Sequence, residues 1–176
     1  MTLNAAAGRP GRPAADVELR AVARERDAEF LCAVYASTRA EELAVVPWTE
    51  DEKDAFLRMQ FEAQDRYWRE QRPDAELSVI LVRGQPAGRL YVDRLADEIR
   101  IVDIALLAQH RGMGVGTRLI GRILEEGATT GRPVTIHVER GNRARALYER
   151  LGFRQISTTG VYDLLERPPD RADRRN

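Results

Sequence analysis

The sequence predicts a single α/β (or α+β) domain with a mixed central sheet of six to seven strands and helices on both faces. Three observations lead to this prediction. The chain has 176 residues, of which 43% are hydrophobic, so it can bury the core of one domain. Its strand-like and helical patterns follow the order β-α-α-β-β-β-α-β-α-β-β. Near the middle, a strand-like run at residues 99–107 leads through a glycine-rich turn into a helical pattern.

Both ends of the chain are predicted to be disordered tails that flank an ordered domain at residues 16–167. Residues 1–15 are mostly Ala, Gly, Pro and Arg, and residues 168–176 also offer almost nothing to bury. Segments of this composition cannot bury enough apolar surface to offset the entropy cost of ordering.

Charge and cysteine content restrict the compartment and the partners. The chain has 28 basic and 28 acidic residues, so no long-range field favours nucleic acid or an anionic membrane. A single cysteine, Cys32, excludes an internal disulfide and indicates a reducing compartment. No apolar run approaches transmembrane length, and the N-terminus lacks the apolar core of a signal peptide. We therefore expect a cytoplasmic protein that binds neither nucleic acid nor a membrane.

The first strand and two helices are predicted from alternation and capping residues. Residues 17–23 alternate apolar and polar side chains, which is typical of a strand. Asp27 is expected to cap the first helix. Thr49 and Glu52 form a capping box for a second helix that runs to about Arg69. Most of the large side chains in and before the second helix are predicted to be core, with the wall of a substrate pocket as the alternative: Trp48, Phe56, Met59, Phe61, Tyr67 and Trp68.

A hairpin and a third strand follow. Residues 77–82 and 88–93 are strand-like and flank a Gly-Gln-Pro turn. In the next run, at residues 98–107, the apolar residues change from odd to even positions. A β-bulge produces such a change of face, but a central strand that is buried on both faces would also explain the pattern.

The glycine-rich turn has the sequence Arg-Gly-Met-Gly-Val-Gly at residues 111–116. It does not match the dinucleotide pattern G-x-G-x-x-G, and it lacks the lysine of an ATP-binding loop. It fits the acetyltransferase pyrophosphate pattern R/Q-x-x-G-x-G/A at every fixed position. The alternative is a glycine turn without a ligand. The helix that follows begins with unpaired N–H groups, which suit a phosphate.

The C-terminal part of the domain is predicted to contain a strand, a helix and a strand pair. In residues 134–139, Thr, His and Glu lie on the face opposite to Val134 and Ile136. Asn142 is expected to cap the last helix, and Gly152 to end it in a left-handed conformation. The apolar face of this helix consists of Ala144, Leu147, Tyr148 and Leu151.

The segment 142–153, Asn-Arg-Ala-Arg-Ala-Leu-Tyr-Glu-Arg-Leu-Gly-Phe, resembles the second signature of the GNAT superfamily of N-acetyltransferases. Together with the glycine loop upstream, it makes the resemblance highly specific, and the element order agrees over residues 16–166. One departure is that the spacing from Asn142 to Tyr148 is a residue shorter than in many members.

The resemblance implies that the protein moves an acetyl group from acetyl-CoA to a primary amine, such as a small molecule, a peptide N-terminus or a lysine. The pyrophosphate would lie on the glycine loop, and the pantetheine arm along a strand opened by a bulge. The Ile104 N–H would bind the thioester oxygen. No metal is expected. The residues assigned to acetyl-CoA are Ile104, Ala105, Leu106, Arg111, Gly112, Met113, Gly114, Val115, Gly116, Thr117, Asn142 and Tyr148.

In the mechanism implied by the resemblance, a neutral amine attacks the thioester directly. Tyr148 matches the general acid of the family, which protonates the leaving thiolate; a core aromatic is the alternative. The base is left open between His137, Asp103, Glu98 and bulk water. A non-catalytic acyl-CoA sensor or an interaction module on the same fold is the alternative function. The protein is expected to be a monomer or a homodimer.

Overall fold

The computed structural model describes residues 16–169, so nearly all of both predicted tails, residues 1–15 and 170–176, lies outside the described residues. Within residues 16–169, the element order is the predicted one. A 3₁₀ turn, Ala108–His110, is added before the glycine loop. The elements are β1 Val17–Ala21, α1 Arg24–Ala44, α2 Glu50–Gln71, β2 Glu76–Val82, β3 Gln85–Arg94, β4 Ile99–Leu106, α3 Val115–Thr130, β5 Val134–Glu139, α4 Arg145–Arg150, β6 Arg154–Thr159 and β7 Tyr162–Arg167.

The seven strands form one mixed sheet in the order β1-β2-β3-β4-β5-β7-β6. Strands β4 and β5 pair in parallel, and every other neighbouring pair is antiparallel. The larger core packs α3 and α4 on one face of the sheet, and the smaller core packs α1 and α2 against the other. The predicted α/β class, with a mixed sheet and helices on both faces, is confirmed. No helix within the described residues is both long enough and apolar enough to cross a membrane.

Two predicted helix starts are displaced by local hydrogen bonds, and one is confirmed. Helix α1 begins at Arg24, and Asp27 reaches back from the first turn to accept from the Ala23 N–H at 2.8 Å. Asn142 accepts from the Ala144 N–H at 2.8 Å, and this turn delays the start of α4 to Arg145. Helix α2 begins at the predicted capping box, and it ends at Gln71.

The large side chains of α2 are less buried than predicted. Phe61 is buried in the smaller core, and Phe56 and Trp68 are half-buried. Tyr67 and Met59 are exposed. A helix that lies on one face of a sheet buries only a stripe of its surface, so the prediction that most of these side chains are core is wrong.

The change of face in β4 is caused by a bulge. Tyr91 of β3 pairs with Asp103, but the next residue, Val92, pairs with Ile101, which leaves Val102 as the extra residue. Side chains from both sides of the bulge therefore pack in the same large core: Ile99, Ile101, Ile104 and Leu106. Of the two interpretations of the pattern, the bulge is confirmed and the central strand buried on both faces is not needed.

Candidate functional site

Strands β4 and β5 separate at the bulge. Their parallel pairing joins residues 99–101 to residues 134–136 and goes no further. Beyond Val102, β4 remains paired with β3 on one side, but its other side has no partner strand among the described residues. The result is a V-shaped gap between the second half of β4 and the end of β5, which we call the opening.

The backbone of β4 presents polar groups to the opening at alternate residues. Leu107 donates its N–H to the Ala87 carbonyl at 2.9 Å, so Ala105, two residues earlier, also points its backbone groups at β3. The N–H and C=O groups of Ile104 and Leu106 therefore point the other way, into the opening. Of the three β4 residues assigned to the cofactor, Ala105 is the one whose backbone groups do not face it.

The glycine loop connects the opening to the start of α3. Gly112 and Gly114 have left-handed φ values of 70° and 80°, which glycine adopts without strain. Gly114 is the N-cap of α3, so the first-turn N–H groups of Val115, Gly116 and Thr117 have no partner within the helix. A Cβ added at Gly112 or Gly114 would meet nothing within 4 Å. The loop thus offers free donors, a positive helix end and open space for an anion.

Arg111 links this loop to β4 and to α1. Its Nε donates to the Leu106 carbonyl at 2.7 Å, and its Nη2 donates to the backbone and side-chain oxygens of Ser37, each at 3.3 Å. The side chain is therefore held at the mouth of the opening, where β4, the glycine loop and α1 meet.

Tyr148 approaches the opening from α4. It is 4% exposed and packs against Phe153 in a T-shaped contact with 5.7 Å between ring centroids. Burial, together with the negative charge of Asp103, raises the pKa of its hydroxyl above the usual value. The phenol is therefore protonated at neutral pH, which a proton donor requires.

Two of the three candidate bases lie where the strands separate. Asp103 follows the bulge and accepts a hydrogen bond from Arg89 Nε at 2.6 Å. His137 is the first β5 residue past the paired segment, and it is exposed. Protein atoms still cover part of the ring, and this loss of solvent, followed by the charges of Arg100 and Arg72, lowers the pKa of His137, so its imidazole is neutral at pH 7 and can accept a proton.

Glu98 lies outside the opening. It precedes β4 at the end where β4 and β5 are still paired. It forms an ion pair with Arg100 and accepts a hydrogen bond from Thr135 Oγ1 at 2.8 Å. These partners hold Glu98 at the closed end of the strand pair, so we favour Asp103 and His137 as the base, and the role of Glu98 stays a prediction.

The sequence analysis missed Arg89, which lies beneath Asp103. This residue is 2% exposed and lies on β3 beside Tyr91, on the same face of the strand. The signal was present in the run Gly-Arg-Leu-Tyr-Val-Asp, where Arg89, Tyr91 and Asp93 alternate with apolar residues. A strand with one apolar face and one polar or aromatic face, both buried, indicates an interior polar cluster.

Comparison with known proteins agrees with this geometry. The sequence model of the Acetyltransferase (GNAT) family matches residues 37–153. The [ribosomal protein bS18]-alanine N-acetyltransferase of Haemophilus influenzae is 30% identical over 87 residues, which are 47% of this chain and 58% of the relative. The chain thus matches little more than half of that relative's length.

Two solved structures share the fold at low sequence identity. The PaiA N-acetyltransferase of Thermoplasma acidophilum, in complex with coenzyme A, is 18% identical with a TM-score of 0.65, and the match covers 87% of this chain and 99% of that one. An acetyltransferase of Thermus thermophilus is 20% identical with a TM-score of 0.63, covering 88% and 98%. Because the family match spans well over half of the residues, this chain belongs to the GNAT family of acetyltransferases.

Proposed function

We propose that this protein is an N-acetyltransferase that moves the acetyl group of acetyl-CoA to a primary amine by direct attack on the thioester. The opening between β4 and β5 carries this proposal. Three observations support it: backbone groups of β4 face the opening, the first-turn N–H groups of α3 have no partner within the helix, and the charge of Asp103 acts on the Tyr148 phenol. The family membership supports the same chemistry.

The cofactor site is proposed to follow the donors that the fold leaves free. The pyrophosphate would accept from N–H groups of residues 112–117, where the helix dipole adds a favourable charge. Val115 would contribute only its backbone, since its side chain is buried in the core. The pantetheine amides would pair with the backbone of Ile104 and with the N–H of Leu106, whose carbonyl already accepts from Arg111. Asn142 stays a weaker assignment because its side-chain oxygen already accepts a local hydrogen bond.

The chemical step is divided among three groups of this chain. The Ile104 N–H would donate to the thioester oxygen as negative charge develops on it. Tyr148 would give its proton to the leaving sulfur as the carbon–sulfur bond breaks. Asp103 or His137 would accept the proton that the attacking amine releases as the carbon–nitrogen bond forms, directly or through water.

The acceptor is proposed to be a primary amine on a small molecule or at a peptide N-terminus or lysine. The H. influenzae relative is described as acting on an alanine of ribosomal protein bS18, so an N-terminal alanine peptide belongs in the first set of acceptors tested. A cytoplasmic location and a monomeric or homodimeric state stay predictions.

A two-part experiment tests the proposal. Acetyl-CoA at 100 times its Kd should stabilise the fold by roughly 2.7 kcal/mol, seen as an upward melting shift. Release of free thiol from acetyl-CoA should then depend on an added amine, within a panel of polyamines, aminoglycosides and peptides. Binding without amine-dependent thiol release would favour the acyl-CoA sensor, and the absence of a melting shift at millimolar acetyl-CoA would remove the cofactor assignment.

A further inference from the structure

We propose that Arg89 is a positioning residue that holds the Asp103 carboxylate at the edge of the opening, ready for the acceptor amine. The inference rests on the proposed function, because it assigns Arg89 a role in acetyl transfer through Asp103. Three observations support the inference: the burial of Arg89, the contacts of its guanidinium, and the register of β3 and β4.

The guanidinium of Arg89 contacts one carboxylate, one amide and three aromatic rings. Nε donates to Asp103 Oδ2 at 2.6 Å, and Nη2 donates to Gln64 Oε1 at 3.3 Å. Its central carbon lies 5.3, 5.5 and 5.9 Å from the ring centroids of Trp68, Tyr91 and Tyr35. These distances are within the range of cation–π attraction.

A buried ion pair is by itself weak evidence that the charge serves the stability of the fold. Burying a guanidinium is unfavourable, and well-packed apolar residues often replace a buried ion pair without loss of stability. Arg89 also leaves Nη1 buried without a hydrogen-bond partner among the described residues. An unpartnered buried polar atom calls for an explanation, and we attribute the charge of Arg89 to its effect on its partner, Asp103.

The β-bulge brings the two residues of the pair together. Arg89 pairs with Ala105, and Tyr91 pairs with Asp103, so Arg89 and Asp103 are diagonal neighbours on the same face of two strands. In an unbroken strand, Asp103 would follow Ile99 and Ile101 onto the face of the larger core. The extra residue, Val102, places Asp103 on the α1–α2 face instead, beside Arg89.

The bond to Arg89 occupies only one side of the carboxylate. Arg89 binds Oδ2, whereas Oδ1 takes no hydrogen bond from the residues that the structure describes. The Asp103 side chain is 24% exposed, and the next residue presents its N–H to the opening. A fixed carboxylate with one free oxygen suits an amine, which can donate to Oδ1 and then pass on its proton.

A double-mutant cycle tests the inference. The variants Arg89→Met, Asp103→Asn and the double variant are compared by steady-state kinetics with acetyl-CoA and the best amine. Arg89→Met should lower kcat/KM for the amine about 10–100-fold. This is the effect typical of losing a residue that orients a functional side chain, as measured for residues that orient metal ligands in other proteins. The KM for acetyl-CoA should stay within about twofold, because the loop and β4 backbone are unchanged. If Arg89 acts through Asp103, the double variant should be no slower than Asp103→Asn.

Two further variants separate positioning from a general loss of structure. Arg94→Met removes ion pairs with Glu76 and Glu126 at the far end of the same strand, and it should leave the kinetics unchanged. If Arg89→Met fails to fold, Arg89→Lys keeps the charge but lacks the planar fork, so it should fold and recover only part of the lost rate.

The possible results lead to distinct conclusions. Wild-type kcat/KM in Arg89→Met, or a double variant whose losses are additive, would overturn the positioning role while leaving acetyl transfer intact. A normal rate in Asp103→Asn would overturn both the base assignment and this inference. If no amine is acetylated by the wild type, the proposed function fails. Calorimetric binding of the amines then tests Arg89 separately, and equal affinities of wild type and Arg89→Met would overturn the inference.

Discussion

The two ends of strand β4 have different surroundings. At the closed end, residues 99–101 pair with β5, and Ile99 and Ile101 are buried in the larger core. At the open end, β3 is the one partner strand of residues 103–106 among the described residues, and backbone groups face the opening. One extra residue, Val102, separates the two. The comparison shows how a single strand can supply stability at one end and binding groups at the other.

The polar groups differ in the same way. At the closed end, an ion pair and two hydrogen bonds connect Glu98, Arg100 and Thr135. At the open end, Asp103 has one oxygen without a partner among the described residues, and Tyr148 lies buried nearby. Substitutions at the open end are therefore expected to change rates, and substitutions at the closed end to change stability.

The largest effect is expected for Tyr148→Phe at the open end. Loss of a general acid typically lowers the rate about 10²–10⁴-fold, whereas the ring and its contact with Phe153 are retained. The KM for acetyl-CoA and the melting temperature should change little. Steady-state kinetics and a melting curve provide the measurement. A kcat within about twofold of wild type would make Tyr148 a core aromatic, provided that chemistry limits turnover.

A smaller loss is expected for the candidate bases at the open end. His137→Ala or Asp103→Asn should reduce kcat/KM by up to about 10²-fold, chiefly on the acidic side of the pH profile. The lowered pKa keeps His137 neutral and able to accept a proton down to a lower pH than an ordinary histidine. At high pH the amine loses its proton unaided, so variant and wild type should converge. Wild-type pH profiles in both variants would leave bulk water as the base.

Gly114→Val should weaken the binding of acetyl-CoA about tenfold or more and cost about 1–2 kcal/mol of stability. Valine at a φ of 80° is strained, and its side chain projects into the space proposed for the pyrophosphate. Gly121→Ala is the matched control, because its added Cβ also meets nothing within 4 Å but lies within α3. Calorimetry measures the affinity. Unchanged binding by a folded Gly114→Val variant would exclude this loop as the phosphate site.

The smallest effect on rate is expected at the closed end. Glu98→Gln should leave kcat/KM unchanged and lower the free energy of unfolding by about 1–2 kcal/mol, since it removes the charge that pairs with Arg100. Thermal melting and steady-state kinetics together provide the measurement. A large rate loss without destabilisation would favour Glu98 as the base and would contradict the proposed difference between the two ends.

The sequence by itself determined the features that depend on neighbours along the chain. The alternation of β1 and β5 and the helical spacing of α3 and α4 predicted these elements, because both periods are local properties of the backbone. The capping box of α2 and the left-handed Gly152 were also predictable, since each depends on a few adjacent residues. The two motifs of the family are local in the same sense.

Only the tertiary structure decided which of the candidate groups share a site. Asp103 and Glu98 are close in sequence and similar in chemistry, yet one lies at the opening and the other at the closed end. Arg89 became visible only when β3 and β4 were placed in register. These outcomes depend on pairings between strands that are distant along the chain, and a bulge of one residue reverses the face of every side chain after it. Local patterns carry no information about such a register, so the position of each carboxylate follows from the assembled sheet.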